Sequence, residues 1–187
     1  MSDKRKIFIT GGSRGIGLAI AKKLAESGSK ITIAAKTDQP HESLPGTIHT
    51  AAEEIRSAGG EAFPIQCDIR DENQIQSAVT KAAELMGGID VLINNAGFGL
   101  NRSFTQSERA DEVALLDVLV NVPMQLTHSV LPSMKERGSG IIINVSSVAG
   151  FMAGGSYSAA KSYLTVLSES LHTELAGSGV TVHALCP

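Results

Sequence analysis

Short β-branched runs alternate with longer segments of helical period along the whole chain, and this alternation constrains the fold more than any other feature. The six runs are Lys6–Thr10, Lys30–Ala35, Glu61–Gln66, Ile89–Asn94, Gly140–Ser146 and Gly179–Leu185. The five segments between them, rich in Ala, Leu, Glu and Lys, are Gly15–Ser27, Thr47–Ala58, Glu72–Met86, Ser107–Arg137 and Ser156–Ala176. Repeated βαβ units of this kind predict an α/β fold with a parallel sheet.

Three of the strands are almost continuously apolar, which indicates that helices cover both faces of the sheet. Ile7–Ile9, Val91–Ile93 and Ile141–Ile143 show no alternation of polar and apolar positions, as expected when neither face meets water. A chain of 187 residues has the length of one domain. We therefore expect a single domain over residues 1–187, with both the cofactor site and the catalytic residues in it.

Composition excludes several classes of protein. Hydrophobic residues make up 42% of the chain and charged residues 19%, which is too apolar for intrinsic disorder. The net charge of −3 gives no basic excess, so no nucleic-acid partner is expected. No apolar run approaches the ~20 residues that span a bilayer, so no membrane partner is expected either.

Cysteine and histidine usage point to a reducing, metal-free setting. The two cysteines are too few for a disulfide scaffold, and the five histidines lack the spacing of metal ligands. The first six residues are polar and do not form the apolar core of a signal peptide. We expect a cytoplasmic protein without a metal site.

A glycine-rich loop lies where the first strand ends and the first helix begins. Thr10–Gly17 reads T-G-G-S-R-G-I-G, and glycines allow both a tight turn and a close approach of a pyrophosphate to the backbone. The helix N-terminus supplies unpaired N–H groups and a positive dipole. Glycines also end ordinary strands, but a glycine-rich loop at the first βα turn is the context of a dinucleotide site.

The spacing T-G-x-x-x-G-x-G resembles the short-chain dehydrogenase/reductase family, and four further motifs follow in the order of that family. They are N-N-A-G at Asn94–Gly97, S-S-V-A-G at Ser146–Gly150, Y-x-x-x-K at Tyr157–Lys161, and Cys186–Pro187, where the family reads P-G. The resemblance covers essentially the whole chain and implies a Rossmann-type, doubly wound sheet with strand order 3-2-1-4-5-6. Residues 4–95 are similar to the hydroxysteroid dehydrogenase-like branch and residues 96–187 to a bacterial-type branch, as in a recombined chain.

The resemblance implies the residues that hold the dinucleotide. They are Gly11, Ser13, Arg14, Gly15, Ile16 and Gly17 in the loop, Asp68 and Ile69 at the adenine, Asn95, Ala96 and Gly97 at the ribose, and Tyr157, Lys161 and Pro187. An NAD site usually has an acidic residue at the end of the second strand, where this chain has Lys36. Lys36 and Arg14 would attract a 2′-phosphate, which favours NADP(H) and leaves NAD(H) possible, although a solvated lysine at a strand end is also common.

The resemblance also implies an oxidoreductase acting on CH–OH groups. Tyr157 and Lys161 are four residues apart on a predicted helix and share one face. A tyrosine exchanges protons poorly at neutral pH unless a nearby ammonium favours the phenolate, so Lys161 would activate Tyr157 as proton donor. Ser147 would hydrogen-bond the developing alkoxide. The substrate is then a small carbonyl or alcohol, and family members are commonly homodimers or homotetramers.

Two positions depart from the family pattern. Only nine residues separate Ser147 from Tyr157, fewer than in many members. The place of the family's catalytic Asn falls on Leu119, with Asn121 two residues later, so either Asn121 substitutes through a local shift or the proton relay is weaker.

Other functions remain open at this stage. A truncated or chimeric nucleotide-binding module with little turnover fits the two departures. It also fits the expectation that the C-terminal strand and the substrate lid, which follow the place of Pro187 in the family, are missing. A sugar-nucleotide epimerase shares the Tyr and Lys but normally has a larger substrate domain.

Overall fold

The computed structural model describes residues 4–40 and 46–187, which form two compact units, one ending at Asn95 and the other running from Ala96 to Pro187. The strands are β1 (Lys6–Thr10), β2 (Lys30–Ala35), β3 (Glu61–Gln66), β4 (Val91–Asn94), β5 (Gly140–Val145) and β6 (Val180–Leu185). They form one parallel sheet in the order β3-β2-β1-β4-β5-β6, which confirms the predicted Rossmann-type topology.

The first unit places the carboxyl ends of four strands at one edge. β1 pairs with β2 on one side and with β4 on the other, and β2 pairs with β3. Its helices are α1 (Gly15–Ala25), α2 (Ile48–Ser57) and α3 (Glu72–Met86). Phe8 and the isoleucines of β1 and β2 are almost wholly buried. The loops that follow these strands therefore start from a rigid core.

The second unit contains β5 and β6, which pair in parallel, and three helices. These are α4 (Arg109–Leu116), α5 (Val122–Glu136) and α6 (Gly155–Glu174), with short 3₁₀ turns at Phe104–Gln106 and Val148–Phe151. A single helix over Ser107–Arg137 was expected, but α4 and α5 are joined by a π-helical turn, Asp117–Asn121, closed by the bond from Val122 N–H to Asp117 O. Pro123 has no N–H to bond the Leu119 carbonyl, which explains the wider turn.

The continuous helical stretch Arg109–Glu136 is long and apolar enough to cross a membrane by length and composition alone. The sequence prediction concerned uninterrupted apolar runs, and polar residues such as Asp117, Asn121 and Gln125 interrupt the apolar run of this helix. Its Leu126, Val130 and Met134 are buried, and core helices of soluble proteins meet the same criterion. Length and apolarity alone are weak evidence for a membrane span.

Both cysteines are free thiols in the described part of the chain. Cys67 is buried at the end of β3, and this burial raises the pKa of its thiol to about 11. Cys186 follows β6 and is partly exposed.

Candidate active site

The loop between β1 and α1 presents bare backbone at a helix N-terminus. A Cβ atom on Gly12 would lie 3.0 Å from Cγ2 of Ile9 and 3.1 Å from Cγ2 of Ile33, so the loop packs directly on the strands. Arg14 is the N-cap of α1, yet among the described residues its side chain makes no capping hydrogen bond. The first turn of α1 has no acidic residue. Its free N–H groups and dipole therefore suit an anion such as a pyrophosphate.

Asn95 holds this loop in place from the end of β4. Its Nδ2 donates to the carbonyl oxygens of Thr10, at 3.0 Å, and Gly11, at 3.1 Å. Its backbone N–H donates to Thr10 Oγ1 at 3.1 Å. A Cβ atom on Gly17 would collide with Asn95 Nδ2 and lie 2.5 Å from Gly11 O. Asn95, which the sequence analysis expects at the ribose, thus positions the glycine-rich loop Thr10–Gly17.

The side chain of Arg14, the N-cap of α1, reaches the end of β2. Its Nη2 donates to Thr37 Oγ1 at 2.9 Å and to Gly46 O at 3.1 Å. Lys36 is 69% exposed, and its Nζ lies 3.2 Å from Oδ2 of Asp68. The parallel register of β2 and β3, with Ala35 opposite Gln66, brings these two residues together.

Asp68 is flanked by a second cation that the sequence analysis missed. Arg70 donates from Nε to Oδ1 at 3.0 Å and from Nη2 to Oδ2 at 2.8 Å. These bonds, with the weaker contact to Lys36, hold the pKa of the Asp68 carboxyl well below its ordinary value. Because Arg70 already bonds both oxygens of this carboxylate, the contact of Lys36 with Asp68 is weak, and the Lys36 ammonium can pair with another anion.

Other residues expected at the cofactor occupy varied environments. Ser13 is buried in the phosphate loop, whereas Ile16 at the start of α1 is largely exposed. Ile69 is half-buried, and Ala96 and Gly97 begin the second unit. Their contacts with a nucleotide stay a prediction.

In the second unit, α6 carries Tyr157 and Lys161 one turn apart. Lys161 is only 4% exposed, and its Nζ donates to Val145 O at 2.7 Å and lies 5.7 Å from the centre of the Tyr157 ring. Burial lowers the pKa of the Lys161 ammonium, and the nearby Cys186 offsets this effect in part. A fixed, poorly hydrated cation therefore stands beside the phenol ring.

The turn after β5 carries Ser147, whose Oγ acts as a hydrogen-bond acceptor. Ser147 Oγ accepts from Ala149 N at 3.2 Å and caps the turn Val148–Phe151. Val148 N donates to Pro187 O at 3.3 Å. A Cβ atom on Gly150 would lie 3.0 Å from the backbone of Lys161, so glycine lets this turn approach α6 closely. The close approach accommodates the short Ser147–Tyr157 connection.

A pocket of about 420 Å³ within the second unit has Tyr157 in its wall. Leu100, Phe104 and Leu115 supply apolar lining. Arg102 and Glu112 supply charged groups. Acidic residues near a helix start are common, so nothing in the sequence distinguished Glu112. In residues 4–40 and 46–187, no group of three His, Cys, Asp or Glu side chains is placed to hold a metal ion.

The family model of the short chain dehydrogenases matches residues 5–187. The chain belongs to this family. Its members include the bovine hydroxysteroid dehydrogenase-like protein 2, which is 49% identical over 144 residues, covering 75% of this chain and 34% of the bovine protein. The ketoacyl reductase HetN of Nostoc is 34% identical over 186 residues, covering 98% of this chain and 62% of HetN.

This short-chain dehydrogenase thus spans about a third of the bovine relative. The similarity to hydroxysteroid dehydrogenase-like proteins extends beyond residues 4–95, since the Xenopus laevis relative matches over 187 residues at 40% identity, covering 97% of this chain and 44% of that protein.

Solved structures of short-chain dehydrogenases have the same fold. One from Mycobacterium thermoresistibile gives a TM-score of 0.90 at 37% identity, over 98% of this chain and 67% of that one. A metagenomic short-chain oxidoreductase in complex with NADP gives a TM-score of 0.88 at 33% identity, covering 98% of this chain and 82% of that one. An NADH-dependent reductase complexed with NAD gives a TM-score of 0.85 at 27% identity, covering 98% of this chain and 78% of that one. Members of the family therefore bind either nucleotide.

Beside Tyr157 lies Leu119, the residue that spacing puts at the place of the family's catalytic Asn. Leu119 is buried in a cluster with Leu115 and Ala160, and Tyr157 packs against this cluster. Asn121 is exposed, and its Nδ2 donates to Asp117 Oδ1 at 2.7 Å, one turn back on the same helix. An apolar side chain, Leu119, thus lies within the π turn at the place where spacing from Ser147 puts the family's relay Asn.

Proposed function

We propose that the chain is an NADP(H)-dependent oxidoreductase that interconverts a carbonyl compound and an alcohol. The observation that carries the proposal is Tyr157, in the wall of a pocket and one helical turn from the buried cation Lys161. A phenol beside a desolvated ammonium is suited to proton transfer, because the positive charge stabilises the phenolate. When bound, the reduced nicotinamide supplies a hydride.

The residues of the chain supply the proton and hold the reacting oxygen. In the direction of reduction, the Tyr157 hydroxyl donates its proton to the carbonyl oxygen, and Lys161 stabilises the phenolate that remains. Ser147 accepts from Ala149 N through Oγ, so its own hydroxyl proton is available for the same carbonyl oxygen. In oxidation the proton moves in the opposite direction, from the alcohol to Tyr157.

The preference for NADP(H) over NAD(H) rests on the cations at the end of β2. Arg14 is held there by Thr37 and Gly46, and the exposed Lys36 shares Asp68 with Arg70. A 2′-phosphate would gain charge-assisted hydrogen bonds from these side chains. Relatives have been solved with NADP and with NAD, so the proposed preference rests on these side chains alone.

The test of this mechanism is Tyr157→Phe, which deletes one hydroxyl and almost no volume. We expect NADPH to bind with unchanged affinity, measured by its fluorescence. NADPH consumption with a panel of ketones and aldehydes should fall by about a hundredfold to ten-thousandfold, because the proton donor is lost. Tyr163→Phe, which changes the other tyrosine on α6, is the control and should stay active. A Tyr157→Phe variant that turns over normally at neutral pH contradicts the mechanism.

A second candidate is a nucleotide-binding module with little turnover. Leu119 favours it, because an apolar side chain in the cluster beside Tyr157 cannot hold the water of a proton relay. The same assay separates the two functions: nucleotide binding without consumption on the whole panel would support the module.

We also propose a cytoplasmic homodimer or homotetramer. Two free thiols suit a reducing compartment. Val113, Leu116, Met124, Tyr163 and Val166 expose apolar surface on α4, α5 and α6, which would become buried between copies. Sedimentation velocity of the purified chain measures this state.

A further inference from the structure

The pocket beside Tyr157 contains a carboxylate whose hydrogen-bonding capacity is only half used. Glu112, on the first turn of α4, accepts a short hydrogen bond from Ser107 Oγ through Oε1. Its Oε2 is shielded from solvent and makes no hydrogen bond of normal geometry with any residue that the structure describes. The Ser107 hydroxyl, and then that of Ser156, lower the pKa of the Glu112 carboxyl, so the group is ionised at neutral pH.

We propose that Glu112 selects carbonyl substrates that carry a hydrogen-bond donor, an ammonium group above all, away from the reacting carbon. The proposal rests on the carbonyl–alcohol chemistry proposed above for the role of the pocket. Tyr157 and Glu112 both line this pocket, so one ligand can meet both. The oxygen Oε2 is already withdrawn from water in the free protein, so a ligand donor that bonds to it displaces no water from this oxygen, and only the ligand's own hydration is lost.

The surroundings of Glu112 allow the ligand to reach it. The terminal torsion of a glutamate carboxyl group is soft, and the Ser107 hydroxyl can rotate to follow Oε1, so a small rotation of the carboxyl group brings Oε2 toward the pocket at small cost. The other charged group that lines the pocket is Arg102. Its Nη1 lies 4.0 Å from Asp111 Oδ2, so the Asp111 carboxylate partly compensates the positive charge of Arg102. Leu100, Phe104 and Leu115 would pack on an apolar body between the two polar ends of the ligand.

The first experiment measures binding and does not depend on turnover. Benzylammonium, benzyl alcohol and toluene are titrated into the wild-type chain and into Glu112→Gln, which keeps the shape and the acceptor for Ser107 but removes the charge. We expect benzylammonium to bind the wild type roughly tenfold to a hundredfold more tightly than toluene, as for a hydrogen bond to a charged group. Benzyl alcohol should lie between them, and Glu112→Gln should lose the preference for the ammonium.

Glu108→Gln, an exposed acid just before α4, is the matched control and should keep the preference. If Glu112→Gln does not fold, Glu112→Asp replaces it, since the shorter side chain withdraws the charge and should weaken the preference. Equal binding of the three probes, or a preference that survives at full size in the Glu112 variant, overturns the proposal.

The second experiment measures turnover with 4-methyl-, 4-hydroxymethyl- and 4-aminomethylacetophenone, and with 4-acetylbenzoate. We expect kcat/KM to be highest for the aminomethyl ketone, mainly through KM, and Glu112→Gln to erase this order while 4-methylacetophenone reacts as before. A preference for 4-acetylbenzoate would assign recognition to Arg102 and overturn the proposal. Binding of benzylammonium with no turnover of any ketone would retain the Glu112 site and reject the proposed function.

Discussion

At the residue scale, the proposed preference for NADP(H) depends on how the Asp68 carboxylate is shared between Arg70 and Lys36. Asp68 is bonded through both oxygens to Arg70, and Lys36 makes a longer contact to Oδ2 of the same group. An exposed ion pair of this kind is worth little, about 0.2–1 kcal/mol. A phosphate that gains two charge-assisted bonds should therefore recruit Lys36 from Asp68.

We accordingly expect Lys36→Asp to erase or reverse the preference for NADPH. In the wild type, the 2′-phosphate should tighten binding roughly tenfold to a hundredfold over NADH, the value of one charge-assisted contact. The two dissociation constants are measured by nucleotide fluorescence. Lys81→Asp, which makes the same charge change on α3, should leave their ratio unchanged. Equal affinities for the two nucleotides in the wild type would refute the assignment.

Sequence spacing located some of these residues and missed others for a physical reason. Tyr157 and Lys161 are separated by one helical turn, so their shared face follows from the helix itself. The contact of Lys36 with Asp68 depends on the register of β2 against β3, and the covered oxygen of Glu112 depends on where Ser107 and Ser156 pack. Neither arrangement leaves a pattern in the sequence.

At the element scale, the turn from β1 into α1 is fixed by contacts that tolerate no added atoms. Asn95 at the end of β4 bonds two carbonyls of the loop, and Gly17 lies against both Asn95 and Gly11. The geometry of the glycine-rich loop Thr10–Gly17 is therefore set jointly by β1, β4 and α1.

Gly17→Ala should disrupt this junction. The new methyl group would force Asn95 or Gly11 to move, and overpacking of this kind costs about 1–3 kcal/mol. We expect a lower free energy of unfolding in urea and weaker NADPH binding, because the loop shifts. Ala19→Ser, at an exposed position on the same helix, is the control for both measurements. Unchanged nucleotide affinity in Gly17→Ala would show that the loop does not depend on this close packing.

The elements themselves were largely predictable, because their patterns are local. β1, β2, β3 and α3 have the predicted bounds, and β4 begins at Val91 rather than Ile89. The exception is the junction of α4 and α5, where apolar periodicity continues through the π turn and only Pro123 hints at a change.

At the scale of the whole molecule, the parallel sheet followed from the βα alternation, and the order of its six strands followed from the resemblance to the short-chain dehydrogenase/reductase family. The division into two compact units leaves no mark in the sequence, because both parts have the same alternation and composition, and the single domain over residues 1–187 stays a prediction.

The acid stability of the whole molecule should reflect Asp68. The bonds from Arg70 lower its pKa in the folded state below the ordinary 3.8, so its contribution is fully present above about pH 4 and is lost as the pH falls toward the folded value. We expect Asp68→Asn to reduce the free energy of unfolding at pH 7 by about 1 kcal/mol and the difference from wild type to shrink below pH 4. Glu84→Gln, an exposed acid on α3, should show no such pH dependence. A difference that stays constant with pH would exclude Asp68 as its source.

The π turn at Asp117–Asn121 also affects how the gene can change in length. One codon added within an α-helix normally rotates every later side chain by about 100° around the axis and misaligns its packed face. A π turn takes up the extra residue locally, so the buried faces of α4 and α5 on either side are preserved. Homologues that differ by one residue in this region can therefore carry the difference inside the helix, where length variation is usually least tolerated.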